Sequence, residues 1–154
     1  MPVHHTPDGY HSVTPYLYIR GAANAIEFYK KAFGAEELFR LPDKDGRIGH
    51  AEMKIGDSVV MLADEFANMK IVGPQTLGGT SIGLLVYVPD VDTTMGRALA
   101  QGAKLDRPIQ DQFYGDRSGT VIDPYGHKWT IATHIEDVPP EEMEERAKKA
   151  MQTA

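Results

Sequence analysis

The chain has 154 residues, 42% hydrophobic and 25% charged, enough for one substantial core or for two small modules sharing one. It contains no cysteine, which removes disulfides, thiolate metal sites and a thiol nucleophile together. A net charge of −6, with no basic face in the pattern, argues against gripping nucleic acid through phosphates. No apolar run approaches the roughly 20 residues of a membrane-spanning helix. The first residues also lack the basic-then-apolar pattern of a signal peptide, so the expected location is the cytoplasm, with no membrane partner.

Residues 1–11 are rich in Pro, His and Gly and read as an irregular N-terminal arm. His4, His5 and His11 cluster there with Asp8, a density that can bind metal. A first module is expected over 12–66. It opens with a strand ending near Ile19. A helix from Ala22 to Phe33 follows, with Ala25, Phe28, Tyr29 and Ala32 on one face and Gly34 closing it. A strand from Ala35 to Leu41 comes next. A hairpin of Ile48–Ile55 and Ser58–Asp64 then turns at Gly56-Asp57, where glycine at the first loop position suits a type II′ turn. Residues 67–80, with Gly73-Pro74 and Gly78-Gly79, read as a linker.

The same order then repeats in a second module over 81–134. An apolar strand is followed by a helix from Val91 to Gln101, a strand from Lys104 to Asp111, and a hairpin across Asp123-Pro124-Tyr125-Gly126. Residues 135–154 are assigned to a C-terminal helix. Its early acids (Glu141, Glu142, Glu144, Glu145) and late bases (Lys148, Lys149) complement the helix dipole. The pattern therefore predicts an α+β fold, a single structural domain built of two βαβββ modules.

Three segments carry a family resemblance. Residues 16–34, with the helical Phe28-Tyr29 pair and closing Gly34, resemble the strand–helix opening of the glyoxalase/bleomycin resistance protein/dioxygenase (vicinal oxygen chelate) superfamily. Val88-Pro89-Asp90-Val91-Asp92, followed by Gly102-Ala103, is similar to the opening of that family's second module. Gly115-Asp116-Arg117 with Asp123-Pro124-Tyr125-Gly126 resembles its last hairpin. Within the superfamily, His50-Ala51-Glu52-Met53 and Gly126-His127-Lys128-Trp129 look like the PhnB-like subgroup. The resemblance implies cupped mixed sheets with helices outside, a small-molecule ligand, and a homodimer with pockets between modules.

Metal-dependent members of that family chelate one divalent ion with His and Glu. Counting from the motif glycines and from Asp123 places their ligand positions at Thr14, Met61, Gly83 and Thr130, none of which is a usual ligand for a first-row metal. The leading expectation is then a small-molecule-binding or resistance-type protein whose pocket is metal-independent or only weakly metal-dependent. The alternative is a lyase, isomerase or dioxygenase using one divalent ion held by the displaced ligands His50, Glu52 and His134.

Hairpin register sets Glu52 opposite Met61 and His50 on the same face, toward the cup. Glu52 as general base, oriented by His50, is the catalytic pair this pattern suggests; a solvated sheet face is the structural alternative. Tyr16 and Tyr18 share a face with Thr14. Thr130 shares one with His134, and Tyr114 lies just before the last hairpin. A four-residue turn at 123–126 would set Arg117 opposite Ala132 and into the cup. There it could hold an anionic oxygen, or lock the hairpin through Asp116 or Asp123. Together these residues predict a pocket for a flat, partly apolar ligand.

Overall fold

The computed structural model describes residues 2–152. Its chain order is β1 (Tyr16–Ile19), α1 (Ala22–Phe33), β2 (Glu36–Pro42), β3 (Ile48–Ile55), β4 (Ser58–Asp64), a 3-10 turn (Ala67–Met69) and a short α2 (Pro74–Leu77). Then follow β5 (Gly83–Tyr87), α3 (Val91–Ala100), β6 (Lys104–Asp111), β7 (Asp116–Ile122), β8 (Lys128–His134) and α4 (Pro140–Gln152). Two four-stranded sheets result, ordered β1-β4-β3-β2 and β5-β8-β7-β6. The first strand of each is parallel to its neighbour and the remaining pairs are antiparallel, so each sheet is one βαβββ unit with its helix outside. The α+β expectation of two such modules is met.

Two compact units divide the chain. One holds the residues up to Ser81 together with Pro124–His127; the other holds Ile82–Asp123 and the residues from Lys128 onward. In the first, α1 lays Ala25, Phe28, Tyr29 and Ala32 against the sheet face that carries Ala51, Met53 and Leu62, all of them buried. Gly21 offers no side chain to cap α1. The buried Asp64 at the end of β4 substitutes, accepting from the backbone N–H of Gly21 and Ala22 at 2.9 Å and of Ile48 at 2.7 Å. One carboxylate thus joins helix start, β3 and β4.

The β3–β4 hairpin turns as its sequence predicts. Gly56 has φ of 59°, and Ile55–Ser58, Lys54–Val59 and Glu52–Met61 face each other. Residues 124–127 support β1 in this unit. His127 Nε2 bonds the Tyr18 carbonyl at 3.0 Å, and Tyr125 meets the Phe28 ring edge-on. Residues 67–80 are structured, with Gly73 seated where any Cβ would come within 2.6 Å of the Tyr18 carbonyl oxygen.

In the second unit α3 buries Val91, Met95 and Ala98, and Asp90 caps it by accepting from Thr93 N–H at 3.2 Å. Trp129 and Ile131 are buried on the helix side of β8, the indole N–H donating to the buried Asp123 at 2.9 Å. The last hairpin corrects the expected register. Ile122 pairs with Lys128, which leaves residues 123–127 in the turn, one more than the sequence suggests. Arg117 therefore faces Thr133 rather than Ala132.

Candidate functional site

In the first unit the sheet face opposite α1 gathers side chains from three strands. Tyr16 and Tyr18 come from β1, Phe39 and Leu41 from β2, and His50 and Glu52 from β3. Register brings them together: Phe39 faces Glu52 across the β2–β3 ladder and Leu41 faces His50. The His50 ring lies between two aromatic rings, 5.4 Å from Tyr16 and 5.7 Å from Phe39, and Tyr18 stands 5.5 Å from Tyr16. Tyr16, Tyr18, Phe39 and Leu41 are all substantially exposed. They form an apolar, aromatic surface around one imidazole.

Below that surface runs a chain of hydrogen bonds. Glu52 is only 5% exposed. Its Oε2 lies 2.6 Å from His50 Nε2, and its Oε1 accepts a hydrogen bond from the Tyr10 hydroxyl of the N-terminal arm. The Tyr16 hydroxyl lies 2.7 Å from His50 Nδ1. All four groups are satisfied when Tyr10 donates to Glu52, His50 Nε2–H donates to Glu52, and Tyr16 O–H donates to a neutral imidazole. Burial and the nearby Tyr18 and Glu52 hold the Tyr16 phenol above its ordinary pKa, which keeps its proton in place. The hydrogen bond to Glu52 does the same for Tyr10.

The two residues of the pair differ in exposure. Glu52 is the buried partner with both oxygens engaged, and His50 is the group nearer the surface. A carboxylate bonded to one imidazole nitrogen orients the ring, and here the other nitrogen, His50 Nδ1, meets the Tyr16 hydroxyl.

The remaining candidates fall elsewhere. Thr14 precedes β1, half-buried. Tyr114 and Thr130 line a cleft of about 270 Å³ in the second unit, beside Arg107, Gln110, Gln112 and Thr120. Arg117 is outside that cleft, held at 2.9–3.0 Å by Asp92 and at 2.9 Å by Asp111; neither Asp116 nor Asp123 is its partner. His134 bonds the buried Asp116 at 2.8 Å and Asp137 at 2.7 Å, and Tyr87 donates to the same Asp116 at 2.8 Å.

A resident metal does not fit these donors. Among the described residues no three His, Asp or Glu side chains are grouped to hold an ion. Both Glu52 oxygens already serve as acceptors. In the arm, His4 and His5 stack at 4.8 Å without such a cluster. No described helix is long and apolar enough to cross a membrane.

Sequence reasoning missed Tyr10, Phe39, Leu41 and Arg107. Phe39 and Leu41 were within reach, since they alternate on a strand next to the His50–Glu52 pair. Tyr10 sits in a segment with no periodicity, and nothing local marks it.

Comparison with known proteins agrees with the fold. The chain is 40% identical over 136 residues to an uncharacterised protein of Mycobacterium bovis, covering 86% of this chain and 90% of that one. The crystal structure of TioX from Micromonospora sp. ML1 is 29% identical, with a TM-score of 0.64, covering 81% of this chain and 99% of TioX. A glyoxalase-related enzyme from Fulvimarina pelagi is 25% identical with a TM-score of 0.62, over 80% of this chain and 87% of that one. The family model that matches residues 9–131 carries the same description as the resemblance read from the motifs. The chain belongs to the glyoxalase/bleomycin resistance protein/dioxygenase superfamily.

Proposed function

We propose that the protein binds a flat, partly apolar small molecule on the aromatic face of its first sheet. The observation that carries this reading is the grouping of Tyr16, Tyr18 and Phe39, each 38–42% exposed, around His50 above the buried Glu52. Exposed aromatic rings converging on a single polar centre suit a ligand with a planar apolar body and one hydrogen-bonding group. With its proton donated to His50, the Tyr16 oxygen keeps lone pairs free to accept from a ligand hydroxyl or amine.

A thermal-shift screen of planar aromatic compounds tests this. Hits should lose about tenfold or more in affinity with Phe39→Ala, since truncating a buried aromatic costs roughly 1.5–3 kcal/mol. Hits whose affinity ignores Phe39→Ala, or no hits in a diverse planar set, would contradict it.

The Glu52–His50–Tyr16 chain favours a second reading, proton transfer at His50 Nδ1 and Tyr16 Oη with Glu52 as the positioning residue. In that case Glu52→Gln retains ligand affinity while turnover of a bound compound collapses. Equal turnover in both proteins would remove this reading and leave binding alone.

A further inference from the structure

We propose that the cleft in the second unit is a binding site for a small oxyanion, a carboxylate or phosphate group borne by a small organic acid, with Arg107 as its anchor. The site stands on the second sheet and does not depend on the aromatic face of the first.

Cross-strand register builds it. Arg107 on β6 faces Thr120 on β7, which faces Thr130 on β8, so the three side chains form one row across the sheet. Gln110 faces Ser118 in the next row, and Tyr114 closes the end from the loop before β7. The cleft measures about 270 Å³, just under the range of pockets for drug-sized ligands, and therefore suits a small acid.

Apart from Pro108 and Gly119 the lining residues carry side-chain donors, and none is a carboxylate: Arg107, two glutamines, Tyr114, Ser118 and two threonines. In a chain of net charge −6 that is a local reversal. Among the described residues Arg107 makes no ion pair and no side-chain hydrogen bond. The acids nearest it on its own strand are engaged by other cations, Asp106 by Lys128 at 3.4 Å and Asp111 by Arg117 at 2.9 Å. Five guanidinium N–H donors therefore point at no protein acceptor.

Hydroxyl accounting agrees. Thr120 and Thr130 share one hydrogen bond at 3.0 Å, which uses one of their two protons and leaves the other to donate. Gln110 and Gln112 each commit an amide hydrogen, at 3.2 and 3.5 Å, and keep a second. A guanidinium fork beside free O–H and N–H donors matches the geometry and charge of a carboxylate or phosphate.

Calorimetric titration of the full-length protein with benzoate, inorganic phosphate and uncharged benzamide, at matched ionic strength, tests the assignment. Benzoate or phosphate should bind saturably and more tightly than benzamide, the tighter of the two identifying a carboxylate or a phosphate as the natural group. Arg107→Gln should weaken that anion about tenfold or more, as expected for a charge-assisted hydrogen bond. Thr130→Val should weaken it severalfold, and Arg117→Gln should leave it unchanged. No saturable binding of either anion at millimolar concentration, equal affinity in Arg107→Gln, or an equal loss in Arg117→Gln would overturn the proposal.

Discussion

His50 and Glu52, two residues apart on β3, point to the same side of the sheet and meet at 2.6 Å between Nε2 and Oε2. Strand alternation puts i and i+2 on one face, but their side chains ordinarily stand in parallel. Here the imidazole Nε2 meets the Glu52 carboxylate, while Tyr16 bonds the other ring nitrogen and Tyr10 the other carboxylate oxygen. The result is a short relay from the N-terminal arm to the aromatic face.

Removing the carboxylate should therefore be costly. Glu52→Ala leaves the half-buried Tyr10 hydroxyl and His50 N–H without their acceptor, an expected loss of about 1 kcal/mol in denaturant unfolding. Glu52→Gln, which keeps an acceptor oxygen, should lose less. Amide exchange should quicken in residues 2–11 of both Glu52→Ala and Tyr10→Phe, because the arm loses its attachment to β3. Unaltered exchange in the arm would show that the Tyr10 contact does not hold it.

His134 gives the second unit a pH dependence. Hydrogen bonds to Asp116 first and Asp137 second raise its pKa above the usual imidazole value of about 6.5. Folding then favours the protonated ring. The stabilisation is complete below about pH 6.5 and fades as pH rises through the folded-state pKa. The difference in melting temperature between the protein and His134→Gln should be largest on the acid side and shrink with rising pH. An NMR titration midpoint for His134 at or below 6.5 would contradict this.

Gly115 is a position where backbone geometry excludes a side chain. Its φ is 97°, and a Cβ would collide with the Glu136 carbonyl oxygen. Its own carbonyl accepts from Ile135 and Glu136 N–H at 2.9 and 3.1 Å. Gly115→Ala should cost at least about 2 kcal/mol from the left-handed conformation and the displaced backbone together. Equilibrium unfolding measures it. A loss within experimental error would mean that the 135–136 segment yields freely.

Much of this architecture was legible in the sequence because it depends on local rules. The glycine at 56 sets the β3–β4 turn. That turn fixes the pairing of Glu52 with Met61, and alternation then puts His50 on the same face. The second hairpin escaped the same reasoning. Its turn is one residue longer because residues 123–127 are held by tertiary contacts, Asp123 by the Trp129 indole and His127 by the Tyr18 carbonyl, and one residue of slip moved Arg117 to the other side of the sheet. Arg107 was hidden for a related reason. Register shifts on either side of it in β6, with Pro108 next to it, break the period of two on which a face assignment rests. Tyr10 reaches Glu52 from a distance of 42 residues, a contact no local pattern encodes.

The most direct measurement of the central claim is an NMR shift map of the isotopically labelled protein, titrated with the best planar aromatic compound from the thermal-shift screen. Binding at the first-sheet face predicts that the largest changes fall on the rings of Tyr16, Tyr18, Phe39 and His50 and on the amides of β1, β2 and β3, and that Phe39→Ala moves the titration to about tenfold or more higher ligand concentration. Changes confined to the second unit, or persisting unaltered in Phe39→Ala, would show that the aromatic face is not where the ligand binds.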